Sequence, residues 1–140
     1  MLKIAKVKNL KSAAQFTLDN MQIYYEMYDV NWNIDDVYQA TKALDNFDIL
    51  MNNELIGVLR LSFDNKICQL RDIQIGTAYQ GKGYGAQVID FVKAIAKEQQ
   101  CYAIELKVFQ RSPAHKLYSR VGFTTNKQDE RFYYMTMPLA

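Results

Sequence analysis

Leu2 and Ile4, with Val7 beyond, alternate against lysines over residues 2–8, the period of a half-buried strand. Across 12–28 the period lengthens. Ala14, Leu18, Met21, Tyr25 and Tyr28 recur every three or four residues, as on one face of a helix. Asn33 stands where a cap belongs, with Asp35 and Asp36 in the first turn, and predicts a second helix running to about Leu44. Three strands follow over 47–51, 54–63 and 67–75. Asn52-Asn53 and Asp64-Asn65 separate them, residue pairs that tolerate the left-handed backbone of tight hairpins.

After Ile75 the pattern changes. Residues 76–83 read as a loop, and Val88, Ile89, Val92, Ile95 and Ala96 then fall at helical spacing. Tyr102, Ile104, Leu106 and Val108 alternate as a strand. Pro113 suits a helix's first turn, Ala114, Leu117, Tyr118 and Val121 carry that helix, and Gly122 suits its C-cap. Strands near 123–126 and 131–137, joined by a turn at 127–130, finish the chain. The order is β-α-α-β-β-β-α-β-α-β-β, with an antiparallel meander and one right-handed parallel crossover over 67–108. This predicts a mixed α+β fold (mixed α/β), a twisted mixed sheet of about seven strands flanked by about four helices on both faces.

Composition changes this picture little. The 140 residues are 49% hydrophobic and 23% charged, as expected of one globular domain over 1–140 with no linker. Seventeen basic against 15 acidic side chains give +2, too balanced to predict a nucleic-acid or membrane partner. The lysine-rich N-terminus lacks the apolar stretch of a signal peptide, and no apolar run approaches the ~20 residues of a membrane span. Cys68 and Cys101 lack metal-ligand spacing and read as buried thiols in a reducing compartment. The expectation is a cytoplasmic, metal-free protein.

Chemistry concentrates first at residues 80–85, Gln-Gly-Lys-Gly-Tyr-Gly. Gly81, Gly83 and Gly85 lie between a strand and a helix N-terminus, where close backbone approach and free amides favour phosphate; Lys82 adds a charge at the rim. A nucleotide P-loop is excluded, because Gly83 follows Lys82 where serine or threonine is required. A dinucleotide fingerprint fits Gly81-Lys-Gly83-Tyr-Gly85-Ala86 better, with Glu105 about 20 residues on. Against it, residues 76–79 separate the first glycine from the strand. The 35 residues after Glu105 cannot complete a doubly wound sheet. A glycine-rich turn without a ligand is the bland alternative.

Two motifs in order carry a resemblance. Gln80-x-x-Gly83-x-Gly85 resembles the Q/R-x-x-G-x-G/A motif of GNAT superfamily N-acetyltransferases, and Leu70-Arg-Asp-Ile-Gln-Ile75 is similar to the strand before it. Val108-Phe-Gln-Arg-Ser112-Pro-Ala-His-Lys-Leu-Tyr118-Ser-Arg-Val-Gly-Phe123 resembles the family's V-x-x-x-N-P-A-x-x-L-Y-x-x-x-G-F segment. The element order matches along the chain, and the motifs cover about 70–123. Ser112 departs from the family's asparagine; it keeps the capping ability, with a shorter reach toward the coenzyme.

The resemblance implies an acyltransferase moving an acetyl group from acetyl-CoA to a primary amine on a small molecule or peptide. It implies a pyrophosphate cradle of Gln80, Gly81, Lys82, Gly83, Tyr84, Gly85 and Ala86, with Ser112 and Tyr118 also on the coenzyme. It further implies that the backbones of Ile73 and Ile75 pair with the pantetheine, that the Ile73 amide serves as oxyanion donor, and that Tyr118 is general acid. The base is open between Asp72, Glu105 and a water relay. Acids within central strands are unusual unless paired or functional, and Glu105 shares a strand face with Lys107. Tyr24, Tyr25, Tyr28 and Trp32 read as core and rim packing or as an amine pocket. His115 reads as a surface residue, and the strand at 131–137 as an edge through which a homodimer would pair. A coenzyme-binding module without turnover and a dinucleotide-binding protein are the alternatives.

Overall fold

The computed structural model describes residues 1–139. Its elements are β1 (Leu2–Lys6), α1 (Leu10–Met27), α2 (Ile34–Thr41), β2 (Asp45–Met51), β3 (Glu54–Asp64), β4 (Ile67–Ile75), α3 (Tyr84–Glu98), β5 (Ala103–Phe109), α4 (Ala114–Val121), β6 (Thr124–Gln128) and β7 (Phe132–Pro138). This is the predicted order, with a short 3-10 turn at Thr77–Tyr79 added. The strands form one mixed sheet, β1-β2-β3-β4-β5-β7-β6. β4 and β5 run parallel, joined by the crossover that carries α3, as a parallel pair requires.

Turn chemistry explains the meander. Asn52 and Asn53 have φ of 52° and 67°, the double left-handed pair of a two-residue hairpin between Met51 and Glu54. The next turn sits one residue later than expected. Asp64 closes β3, and Asn65 and Lys66 take φ of 52° and 62°.

One expectation is corrected. β7 is no edge: it lies between β5 and β6, paired with both. The reason is apolar content. Met135 and Met137 are buried, whereas every residue of β6, Thr-Thr-Asn-Lys-Gln, is exposed. A short polar strand suits the edge and a half-apolar one does not. A homodimer built on an open β7 therefore has no support.

The chain divides into two compact units: Met1–Leu61 with Asp72–Tyr84, and Ser62–Arg71 with the residues from Gly85 onward. In the first, α1 buries Ala13, Ala14, Thr17 and Tyr25, while Leu18, Met21 and Tyr28 are half-buried. Asn9 caps α1 by accepting from the Ser12 amide at 2.9 Å, so the helix begins before the residues whose spacing announces it. Asn33 and Asp36 form a reciprocal capping box at α2. The core here is Val37, Ile49, Ile56, Val58, Leu59 and Leu61. In the second unit, Val88, Ile89, Val92 and Ala96 of α3 are buried, as are Cys68, Ile104, Leu106 and Met135. Both cysteines are buried. Gly122 caps α4 at φ 116°. Among the described residues, no helix is long and apolar enough to cross a membrane.

The turn before β7 is pinned by Asp129. One carboxylate oxygen accepts from the Arg131 and Phe132 amides at 2.9 and 2.7 Å, the other from the Tyr134 hydroxyl at 2.6 Å. The phenol first, then the two amides, hold this carboxyl down at about 2. A depressed folded-state value stabilises above the ordinary carboxylate range, and that contribution is lost as pH falls toward about 2. Asp129→Asn should lower the melting temperature at pH 6 and converge on wild type near pH 2. A constant difference across that range would contradict this account.

Candidate functional site

The loop after β4 is built from strand-end hydrogen bonds. The Gly76 amide donates to the Ile56 carbonyl at 2.8 Å, and the Tyr79 amide to the Gly76 carbonyl at 2.8 Å. Gln80 Nε2 donates to the Ile75 carbonyl at 2.8 Å, so the first motif residue folds the loop back on its own strand. Ile73 and Ile75 are half-buried, and Lys82 is exposed.

The three glycines differ in cause. Gly81 and Gly83 have φ of 74° and 84°, and an added Cβ at either would meet nothing within 4 Å. They are glycines for conformation, and their outer side is open. At Gly85 a Cβ would lie 2.7 Å from Leu117 Cδ2, so its missing side chain lets α3 and α4 pack closely. Tyr84, Gly85 and Ala86 open α3, where amides lack intrahelical acceptors and carry the positive end of the helix dipole.

The first unit also holds a polar network that the sequence reading missed. Arg60 on β3 is fully buried. Its Nη1 donates to Asp72 Oδ2 and Thr17 Oγ1, both at 2.6 Å, and its Nε to Asn46 Oδ1 at 2.7 Å. Asn46 Nδ2 donates onward to the Thr41 and Leu44 carbonyls. Gln74 Nε2 donates to Asp72 Oδ1 at 2.5 Å, and Asn20 on α1 donates to Gln74 Oε1 at 2.7 Å. Asp72 therefore has both oxygens engaged, yet its side chain is 18% exposed. Burial pushes its carboxyl above the usual range, against the opposing pull of Arg60 and Gln74. Tyr25 is pushed up to about 12, first by burial and then by the charge of Asp72. Its ring lies 6.1 Å from that of Trp32, which is exposed. Removing one partner of such a buried ion pair costs about 3–5 kcal/mol. The sequence signal was faint: an arginine five residues before Asn65 and an aspartate six after Lys66, roughly symmetric about the turn.

In the second unit, Tyr118 on α4 is 7% exposed, its ring edge-on to Phe123 at 5.7 Å. Pro113 takes the cap position without a side-chain bond, and Ser112 Oγ accepts from the Ala114 amide at 3.2 Å. Ser112 therefore bonds a first-turn amide from one residue before the cap, which is Pro113 itself. Glu105 accepts from Gln69 Nε2 at 3.0 Å, its register partner across β4 and β5. Lys107, on the same strand face, sits over the Phe132 ring at 4.6 Å. Asp72 and Glu105 therefore belong to separate networks. Gln69, Arg71, Glu105, Lys107, Tyr134 and Thr136 help line an open cavity of about 520 Å³ in this unit. His115 is half-buried, with its ring 4.2 Å from that of Tyr133, rather than a free surface side chain. Among the described residues no cluster of metal-ligating side chains is present.

Comparison with known proteins gives a consistent result. The model of the acetyltransferase (GNAT) family matches residues 15–123. The fold is similar to that of the PaiA N-acetyltransferase of Thermoplasma acidophilum, solved in complex with coenzyme A, with a TM-score of 0.76, 14% identity and 99% of both chains covered. It is similar to the IAA acetyltransferase of Bacillus cereus, with a TM-score of 0.77, 15% identity and 99% and 100% coverage. It is also similar to the ribosomal-protein-S18-alanine N-acetyltransferase of Escherichia coli, with a TM-score of 0.76, 15% identity and 100% and 95% coverage. No curated protein sequence matches the chain.

Proposed function

The chain belongs to the acetyltransferase (GNAT) family, and on that premise we propose that it moves an acetyl group from acetyl-CoA to a primary amine by direct attack. The observation that carries this reading is the open pair Gly81 and Gly83, left-handed and running straight into the first turn of α3. A pyrophosphate fits such a place: apart from the adjoining residues, no described atom lies within 4 Å of where either side chain would start, and the amides of Tyr84, Gly85 and Ala86 begin a helix. Lys82 adds charge at the rim, and Gln80 holds the loop through Ile75. The solved relative from Thermoplasma carries coenzyme A, which supports the same donor here.

The remaining residues divide the reaction. The main chains of Ile73 and Ile75 hold the pantetheine, and the Ile73 amide stabilises the developing oxyanion. Asp72 takes the proton from the attacking amine; burial raises its carboxyl toward working pH, where a base acts best. As the new C–N bond forms and the C–S bond breaks, Tyr118 gives its phenolic proton to the departing sulfur. Phenols ordinarily hold that proton at neutral pH. Glu105, already bonded to Gln69 beside an open cavity, is the second candidate base. The acceptor is a small-molecule or peptide amine, and the setting is the cytoplasm.

Thermal melting with acetyl-CoA against NADH tests the donor. A ligand at one hundred times its Kd stabilises by about 2.7 kcal/mol, so acetyl-CoA should raise the melting temperature by several degrees and NADH should not. A shift with NADH alone would favour dinucleotide binding. A shift with acetyl-CoA and no turnover with any amine would favour a coenzyme-binding module.

A further inference from the structure

We infer that Arg60 is a positioning residue, which orients the Asp72 carboxylate and sets its proton affinity from within the first unit. The inference rests on Asp72 serving as proton acceptor. Arg60 shares no surface with solvent, and its partners come from three different elements: Thr17 of α1, Asn46 of β2 and Asp72 of β4. A guanidinium is planar, so Nε on Asn46 and Nη1 on Thr17 fix the plane in which Nη1 meets Asp72.

The mode of contact argues for more than structure. An arginine and a carboxylate bind most strongly through two parallel bonds. Here Arg60 gives Asp72 a single bond from Nη1, and its buried Nη2 has no acceptor among the described residues. The second carboxylate oxygen goes instead to Gln74, which Asn20 holds from α1. An orphaned buried donor costs about 1–3 kcal/mol, a cost a purely structural pair would avoid by turning side-on. What the arrangement gains is a carboxylate fixed at both oxygens and still partly open to solvent. The groups that bear on its charge are Arg60 from β3, Gln74 on its own strand and Tyr25 from α1.

The test is the titration of Asp72 by carboxylate ¹³C NMR in the full chain, with Asp72→Asn assigning its resonance. Wild type, Arg60→Met and Arg60→Lys are compared, and kcat is measured in parallel with acetyl-CoA and phenethylamine, lysine amide or an alanyl peptide. Removing a neighbouring positive charge raises a carboxyl's pKa. Arg60→Met should therefore move the Asp72 midpoint to higher pH, and Arg60→Lys should bring it most of the way back while kcat stays several-fold low at unchanged KM. An Asp72 midpoint unmoved in Arg60→Met, with only the melting temperature lowered, would overturn the inference and leave the base reading intact. If Arg60→Met does not fold, Arg60→Lys decides: a wild-type midpoint together with wild-type kcat overturns the inference. If the midpoint responds to Arg60 but Asp72→Asn retains full turnover, the base reading fails, and the positioning role fails with it.

Discussion

Replacing Tyr118 by phenylalanine is expected to lower kcat at least ~10²-fold, the usual contribution of a positioned proton donor, while the protein stays folded. Tyr118 is buried on α4 and packs edge-on against Phe123. Phenylalanine keeps the ring, its volume and that contact, so the stability cost is confined to the hydroxyl's hydrogen bonding, about 1 kcal/mol. If the tyrosine only packs, kcat stays within about twofold of wild type and the melting temperature alone moves. A large fall in kcat with acetyl-CoA binding retained is the signature of proton delivery to the leaving sulfur.

Gly57→Ala is expected to be the most damaging single-methyl addition in the first unit. Gly57 lies in β3 opposite Ile49. A Cβ there would fall on the Gln74 carbonyl oxygen and 3.2 Å from Ile49 Cδ1. A main-chain oxygen cannot swing aside as a side-chain tip can, so the strand must move, at a cost of about 1–3 kcal/mol or more. The strand that moves carries Gln74, which holds Asp72, so activity should fall along with stability. Urea melting and kcat on the same sample check both halves. Unchanged stability would mean that the backbones separate freely at this point.

Where local chemistry decides, the sequence was legible. Asn52 and Asn53 adopt the left-handed pair their side chains favour, Asn33 builds its capping box with Asp36, and Gly122 takes the αL cap. The next hairpin turn slipped by one because a lysine, Lys66, occupies a left-handed position that its residue type does not advertise. The place of β7 was missed for a different reason. Pairing partners are set by burial across the sheet, and only Met135 and Met137 against the wholly polar β6 distinguish centre from edge. Arg60 escaped notice because a charged residue in a strand reads as facing water until its partners are known, whereas the middle of β3, residues 56–61, is buried on both faces. Three glycines in one motif suggested one purpose. Gly81 and Gly83 serve the loop's conformation, whereas Gly85 serves the packing of Leu117.

The central claim is acetyl transfer from a thioester anchored at the glycine loop. Its most direct test is thiol release from acetyl-CoA by the purified chain, with and without phenethylamine, lysine amide and an alanyl peptide, run beside Tyr118→Phe. The expected result is amine-dependent release in wild type that exceeds the Tyr118→Phe rate by at least ~10²-fold. Release that no amine accelerates, or that is equal in the two proteins, would contradict it.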